Sequence, residues 1–301
     1  MTKNEVIERI QKLRKERRAV ILAHNYQVGE VQDIADFTGD SLGLSQEAAR
    51  CDAEVIVFCG VHFMAETAAI LSPRKTVLLP DPRAGCPMAD MITARELRNW
   101  KAQYPGLPVV CYVNTTAEVK AESDICCTSS NAVKVALSLP EEEILFVPDK
   151  NLAAFVARQT GKKIIAWDAY CYVHNQILAR DVLAGKRVHP EAEVWVHPEC
   201  RPEVIDLADR VISTGFMVTA ARETAAGEVL VGTEVGILHR LRKENTRTAF
   251  FPVKELALCS NMKKITLIKV LRALEKMTYR IEVPVAISRR ARGAIEKMVS
   301  I

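Results

Sequence analysis

Three cysteines, Cys86, Cys171 and Cys259, occupy the same place in a repeated pattern and together offer three thiols to a soft metal. The pattern opens each time with a short apolar run that ends in polar residues: His24-Asn25-Tyr26, Tyr112-Val113-Asn114 and His197-Pro198-Glu199. A hydroxyl follows 16 or 17 residues later, at Ser41, at Ser129 and at the pair Ser213-Thr214. The cysteine comes 42 to 45 residues after the hydroxyl, counted from Thr214 in the third unit. Three units of about 86 residues therefore each deliver a polar strand end, a hydroxyl and a thiol, and a fixed period means that the fold has to be read as repeats. Equivalent cysteines can meet on a pseudo-threefold axis. Three thiolates there suit zinc or an iron–sulfur cluster and leave one coordination position open, which points to Lewis-acid chemistry rather than electron storage. The closely spaced four-cysteine pattern of electron carriers is absent, as is the three-cysteine run of radical enzymes.

The polar triplets supply two imidazoles (His24, His197), two phenols (Tyr26, Tyr112), an amide (Asn114) and a carboxylate (Glu199). Histidine and glutamate suit proton transfer near neutral pH. Ser41, Ser129, Ser213 and Thr214 fall where a strand gives way to a helix. A hydroxyl beside free backbone N–H groups at a helix start binds phosphate or carboxylate. Singly, each of these residues reads as a loop polar group or a helix cap; as a threefold set facing three thiols they read as a substrate cavity. The other six cysteines have no such pattern. Cys51, Cys59 and Cys111 belong to apolar runs or their edges and read as core. Cys126-Cys127 adjoin Thr128-Ser129-Ser130, close to the expected site, and Cys200 follows Glu199 with no counterpart in the other units.

Such groups need a frame to hold them. Residues 3–18 read as an amphipathic helix with Val6, Ile7, Ile10 and Leu13 on one face. Apolar runs at 19–23, 54–59 and 76–79 read as buried strands of the first unit, those at 109–113, 144–147 and 164–167 as strands of the second, and those at 194–196, 211–213, 229–231 and 248–251 as strands of the third. Helical patterns lie between them, among others at 64–71, 131–139, 152–160 and 202–209. Alternating strands and helices predict an α/β chain of parallel sheets with right-handed crossovers. The expected architecture is three related three-layer α/β/α domains, each with about four strands, around a central site at the carboxyl ends of the strands. The repeat sets domains at 1–87, 88–173 and 174–261, followed by a basic helical tail, 262–301, packed on them.

Composition narrows the classes. In 301 residues, 49% hydrophobic content supports real cores and excludes a disordered chain. A net charge of +4 gives no nucleic-acid footprint but would not repel an anionic substrate. The first residues form a charged amphipathic helix rather than a secretory signal, and no apolar run approaches the ~18 residues of a membrane span. Nine cysteines without an export signal read as thiols or metal ligands of a cytoplasmic protein rather than as disulfides.

Taken together, His24-Asn25-Tyr26-Gln27, Gly39-Asp40-Ser41-Leu42, Gly85-Cys86-Pro87-Met88-Ala89-Asp90, Tyr112-Val113-Asn114-Thr115, His197-Pro198-Glu199-Cys200 and Cys259-Ser260-Asn261-Met262-Lys263 resemble the quinolinate synthase family over residues 19–264. The resemblance implies a triangle of three α/β/α domains around one [4Fe–4S] cluster per chain, held by Cys86, Cys171 and Cys259, with the fourth iron open to substrate. It implies a transferase that condenses iminoaspartate with dihydroxyacetone phosphate, losing phosphate and water, to give quinolinate for NAD synthesis. It also implies a functional link to an enzyme that produces iminoaspartate. By the same resemblance, His24, Tyr26, Ser41, Tyr112, Asn114, Ser129, His197, Glu199, Ser213 and Thr214 line the cavity; of the catalytic groups, the chemistry gives Glu199 and His197 the proton transfers of imine–enamine tautomerisation, and Tyr26 and His24 assistance to isomerisation or ring closure of the triose portion. The alternative is a non-catalytic iron–sulfur or zinc-thiolate protein, which the polar cavity set fits poorly.

Overall fold

A computed structural model describes residues 1–301, and it runs through one sequence of elements three times. The first unit contains α1 (Lys3–Glu16), β1 (Ala19–His24), α2 (Gly29–Ile34), β2 (Phe37–Gly39), α3 (Ser41–Arg50), β3 (Val55–Cys59), α4 (His62–Leu71) and β4 (Thr76–Leu78). The second contains α5 (Ala94–Lys101), β5 (Val109–Tyr112), α6 (Ala117–Lys120), β6 (Ile125–Cys127), α7 (Ala132–Ser138), β7 (Glu143–Val147), α8 (Lys150–Thr160) and β8 (Lys163–Ala166), followed by α9 (Tyr172–Asn175). The third contains α10 (Ala179–Val188), β9 (Glu193–Val196), α11 (Pro202–Ile205), β10 (Arg210–Val211), α12 (Thr214–Glu223), β11 (Glu228–Gly232), α13 (Ile237–Glu244) and β12 (Ala249–Pro252). Two further helices, α14 (Leu267–Lys276) and α15 (Val285–Ser300), complete the chain. Each unit ends in a loop bearing one of Cys86, Cys171 and Cys259, and one helical turn follows: Ala89–Met91, α9 and Met262–Lys264.

Each unit forms its own four-stranded sheet, all parallel, with the same order: β2-β1-β3-β4, β6-β5-β7-β8 and β10-β9-β11-β12. The chain is therefore α/β, built of three small parallel sheets with helices between successive strands. The strand interiors are apolar because both faces are covered; all five residues of β3, Val-Ile-Val-Phe-Cys, are buried. A further threefold device fixes the register of the edge strands. Asp36, Asp124 and Asp209 accept the backbone N–H of Ile21, Val109 and Val194 at 2.8, 2.8 and 2.7 Å, pinning each second strand to the first. Helix starts are equally explicit. Thr2 with Glu5 and Thr93 with Glu96 form capping boxes, and Asp40, Asp149 and Ser213 cap α3, α8 and α12.

Sequence and structure differ mainly at short elements. The edge strand β2, Phe-Thr-Gly, shows no apolar run in the sequence, and the apolar run of the edge strand β6, Ile-Cys-Cys, is only three residues long. The helix expected over 202–209 stops at Ile205, and that expected over 3–18 stops at Glu16, where Arg17 caps it and Arg18 takes a positive φ of 47° before β1.

The tail is packed, not appended. Helix α14 lies on α1 and β3, burying Leu267, Val270, Leu271, Ala273 and Leu274. Helix α15 crosses α4 of the first unit and α6 and β6 of the second, burying Ala291, Ala294, Ile295 and Met298. The Asn131 amide, at the start of α7, donates to Met298 O at 2.9 Å, and Arg290 pairs with Glu122 at 2.8 Å. Truncating Ile295, which is fully buried, to Ala should lower stability by roughly 2–5 kcal/mol, read as a lower urea midpoint with an unchanged m-value. An unaltered midpoint would show the tail to be dispensable.

Candidate active site

Because every strand of a parallel sheet points the same way, the loops after β1, β5 and β9 all leave from carboxyl ends. The three units turn those ends inward onto a single cavity. Its walls include His24 and Tyr26 from the first unit, Tyr112 and Asn114 from the second, and His197 and Glu199 from the third. Cys86, Cys171 and Cys259 line the same cavity, as do Ser41, Ser129 and Thr214. Ser213 is engaged differently: its Oγ caps Phe216 N–H at 3.5 Å and meets Ser130 Oγ at 2.7 Å, and the wall there is Thr214. Ser130 Oγ also donates to Asp40, so the starts of α3, α7 and α12 are tied together by one residue from each unit.

The three thiols are free and neighbouring, and burial pushes all three up, Cys86 to about 12, with each other's proximity adding to Cys86 and Cys171. Each sulfur is faced by backbone N–H groups of the helical turn that follows it: Met88 and Ala89 for Cys86, His174 for Cys171, Asn261 and Met262 for Cys259. Such N–H groups favour a sulfur that carries negative charge, yet the dry surroundings keep the thiols protonated on their own. Deprotonation then needs a bound cation, and metal loading should release protons. The donor set therefore fits a thiolate-bound metal centre. A second arrangement overlaps it: ligand atoms of Cys171, His174 and Glu199 all lie within 4.8 Å of one another.

The imidazoles are set by a repeated turn. Tyr26 N–H donates to His24 Nδ1 at 3.1 Å, and Glu199 N–H donates to His197 Nδ1 at 3.2 Å. An Nδ1 that accepts a backbone N–H leaves the ring proton on Nε2. His197 Nε2 lies 3.1 Å from Ser129 Oγ, so the resting ring presents a donor to the hydroxyl and the cavity. Burial lowers both His24 and His197 to about 3, and both are neutral at ordinary pH.

Glu199 sits 2% exposed, with Oε2 at 2.6 Å from His174 Nδ1 and 3.4 Å from His197 Nδ1. Burial opposes its charge, but the attraction of His174 outweighs it and holds the carboxyl below its ordinary range; neutral His197 adds little. On its other edge His174 Nε2 meets Thr233 Oγ1 at 2.7 Å and the Tyr26 hydroxyl at 3.3 Å, and Tyr26 and Thr233 are themselves 2.5 Å apart. One chain of polar contacts thus runs from Tyr26 through Thr233 and His174 to Glu199, crossing all three units. Burial, and then the charge of Glu199, push Tyr26 and Tyr112 well above the ordinary phenol range, so both are hydrogen-bond donors. Asn114 Oδ1 and Glu199 Oε1 are buried on the cavity wall without a hydrogen-bond partner, an arrangement that a bound polar ligand would complete.

His174, Thr233, Asp40 and Ser130 were not singled out from the sequence. His174 had a faint signal, three residues after Cys171, but its counterparts after Cys86 and Cys259 are Ala89 and Met262, so the repeat conceals it. Cys126 and Cys127 are fully buried on β6, with Cys126 paired to Cys111 on β5, and they stay off the cavity wall; Cys59 and Cys200 are also core.

A family model described as quinolinate synthetase A protein matches residues 8–300. A quinolinate synthase of Dehalococcoides mccartyi is 62% identical over 98% of both chains. Quinolinate synthases of Thermodesulfovibrio yellowstonii and Methanosarcina barkeri are each 54% identical, over 99% of both chains in the first case and over 100% of this chain and 99% of the relative in the second. No helix is long and apolar enough to cross a membrane.

The buried neutral imidazoles make a pH prediction. The folded forms of His24 and His197 titrate near 3, against 6.5 when exposed. Below about pH 6.5 the unfolded chain therefore takes up two protons that the folded chain refuses, and stability falls as pH falls from 6.5 toward 3. The two rings together should contribute a slope of about 2.7 kcal/mol per pH unit near pH 5. Urea unfolding of the iron-free protein at pH 6.5 and 5 should show this slope, and the H24N/H197N double variant should flatten it. An equal slope in the two proteins would mean that the rings charge in the folded state.

Proposed function

The chain belongs to the quinolinate synthetase A family, and on that premise we propose that it is a quinolinate synthase, condensing iminoaspartate with dihydroxyacetone phosphate to quinolinate, with loss of phosphate and water. The observation that carries the reading is the single cavity in which three thiols and the polar set from all three units meet. Cys86, Cys171 and Cys259 would hold one [4Fe–4S] cluster, whose fourth iron would supply Lewis-acid chemistry toward substrate oxygens. A non-catalytic metal protein would have no use for two orphaned acceptors and a proton chain beside its metal site.

The chain's own residues divide the remaining work. Ser41, Ser129 and Thr214, beside the joined starts of α3, α7 and α12, receive the anionic phosphate and carboxylate groups through hydroxyls and backbone N–H groups. Glu199, ionised and with Oε1 unpartnered, takes the proton from carbon as the imine becomes its enamine. His197, neutral, donates a hydrogen bond from Nε2 toward substrate oxygen on the Ser129 side of the cavity. Tyr26 and Tyr112 donate to developing negative charge on oxygen, with Tyr26 resupplied through Thr233 and His174. His24, edge-on to Tyr26 at 4.6 Å between ring centroids, orients that phenol. Closing these groups in a buried cavity keeps water from hydrolysing the imine.

Anaerobic purification with an iron and sulfide count, followed by assay with the two substrates, tests the reading as a whole. Replacing each of the nine cysteines by Ala in turn should abolish the visible absorbance of the cluster at Cys86, Cys171 and Cys259 only. Retention of the cluster without Cys86, together with its loss on replacing Cys126 or Cys200, would sink the ligand assignment.

Glu199→Gln keeps the size of the side chain but cannot accept the proton. It should retain iron, still bind quinolinate, and turn over roughly 10²–10⁴-fold more slowly. Near-normal turnover would move the base elsewhere, and loss of iron would make Glu199 a support of the metal centre.

A further inference from the structure

The three ligand loops are not held alike. The second residue after the third strand of each unit is Val61, Asp149 and Glu234, and the unit's cysteine follows 25, 22 and 25 residues later. Asp149 and Glu234 are both fully buried. Asp149 Oδ2 accepts the backbone N–H of Cys171 itself at 3.0 Å, while Oδ1 caps α8 through Leu152 N–H at 2.7 Å. Glu234 Oε1 accepts the backbone N–H of Cys259 at 3.0 Å, while Oε2 accepts Gly236 N–H at 2.8 Å. In the first unit a valine takes this place, and the N–H of Cys86 has no acceptor in the protein.

A buried carboxylate costs several kcal/mol in desolvation unless its contacts return it, so two of them at one repeat position, where the same fold accepts valine, call for a reason. Helix capping explains only one oxygen of Asp149, and α13 starts without a side-chain cap. The shared feature is the bond to a cysteine's own N–H. Glu234 does one thing more. It pairs with Lys263 at 2.8 Å, and Lys263 Nζ donates onward to the Tyr26 carbonyl. The loop of Cys259 is thereby locked to the turn that carries His24 and Tyr26.

Resting on the reading of Cys86, Cys171 and Cys259 as cluster ligands, we propose that Asp149 and Glu234 are positioning residues for the metal centre. They fix two of the three cysteine backbones before metal binds, and Glu234, paired with Lys263, sets a charged pair beside Cys259. Cys86, without such an anchor, closes last on a centre already held by the other two. Glu234 also sets the distance between that centre and Tyr26.

The test separates anchoring from folding. In Asp149→Ser the hydroxyl still caps α8 but cannot reach Cys171 N–H. In Glu234→Gln the volume stays, but one of the two backbone N–H groups now faces an amide NH2 and the charge is gone. The full chain is purified anaerobically, its iron and sulfide are counted, and loss of visible absorbance is followed in excess chelator. Both variants should lose iron faster, on the order of 10–100-fold for a lost partner of a metal ligand. Asp149→Ser should keep a near wild-type urea midpoint, and Glu234→Gln should show a higher cluster reduction potential, which a merely structural role would not move. Wild-type rates of iron loss in both variants, with an unchanged potential, would overturn the proposal while leaving the cluster reading intact. If Glu234→Gln fails to fold, Asp149→Ser alone decides by the same rate. A wild-type chain that holds no iron or sulfide would overturn the cluster reading and this inference with it.

Discussion

The shared polarity of parallel strands governs this molecule. A parallel sheet sends all its carboxyl ends to one edge, and each four-stranded sheet here follows the order second, first, third, fourth. The first strand of each unit is therefore central, and its end lies beside that of the third. Three such sheets bring the ends of β1, β5 and β9 and three cysteine loops into a volume that a single small sheet could not enclose. Hydroxyls at helix starts, polar triplets at strand ends and thiols in terminal loops all reach the site because they occupy fixed stations along this one path.

Enclosure then decides the chemistry. Without bulk water, His24 and His197 stay neutral, phenols and thiols keep their protons, and Glu199 stays charged through the close His174. The site is accordingly rich in donors, with one strong acceptor, Glu199. That polarity suits substrates that carry carboxylates and phosphate and that must lose a proton from carbon. Charge introduced by such anions, or by a metal on the thiols, would meet preorganised N–H and O–H groups rather than solvent that has to reorient.

What could be read from the sequence was whatever recurs with the period. The central strands are apolar runs, and the cysteines, hydroxyls and strand-end triplets recur at matching distances. The α/β class and three parallel sheets follow from that pattern, and the model shows them. The family was legible as well, because its motifs stand at those same stations. What stayed hidden is whatever one unit has alone or contacts create. His174 shares its station with Ala89 and Met262, and Thr233 shares its station with Gly60 and Pro148. Neither pair of neighbours hints at a proton path. Asp36, Asp124 and Asp209 do recur, but as single carboxylates in loops they look like ordinary surface residues until their bonds to strand N–H groups are seen. The edge strand β2, Phe-Thr-Gly, exists only through pairing, and no local pattern announces it.

The repeat matters most where it is broken. Three identical units would bind a threefold-symmetric ligand, and neither the proposed substrates nor their product has that symmetry. The triplets have accordingly diverged to His-Asn-Tyr, Tyr-Val-Asn and His-Pro-Glu, so each unit brings a different donor or acceptor to the same station. The hydroxyl station has diverged less, which fits a task as generic as receiving an anion, and the thiol station not at all, which fits ligands that must be equivalent. Divergence thus grows with the specificity of the task each station performs. The carboxylate station is split between the two cases: two units carry it and one does not. Glu234 reaches the cavity wall and Asp149 does not, but both accept a cysteine's own N–H, which sets the station apart from the triplets. An asymmetric support beneath symmetric thiols would give the proposed metal centre a defined orientation relative to Tyr26 and Glu199, and an asymmetric reaction needs that orientation as much as it needs the groups themselves.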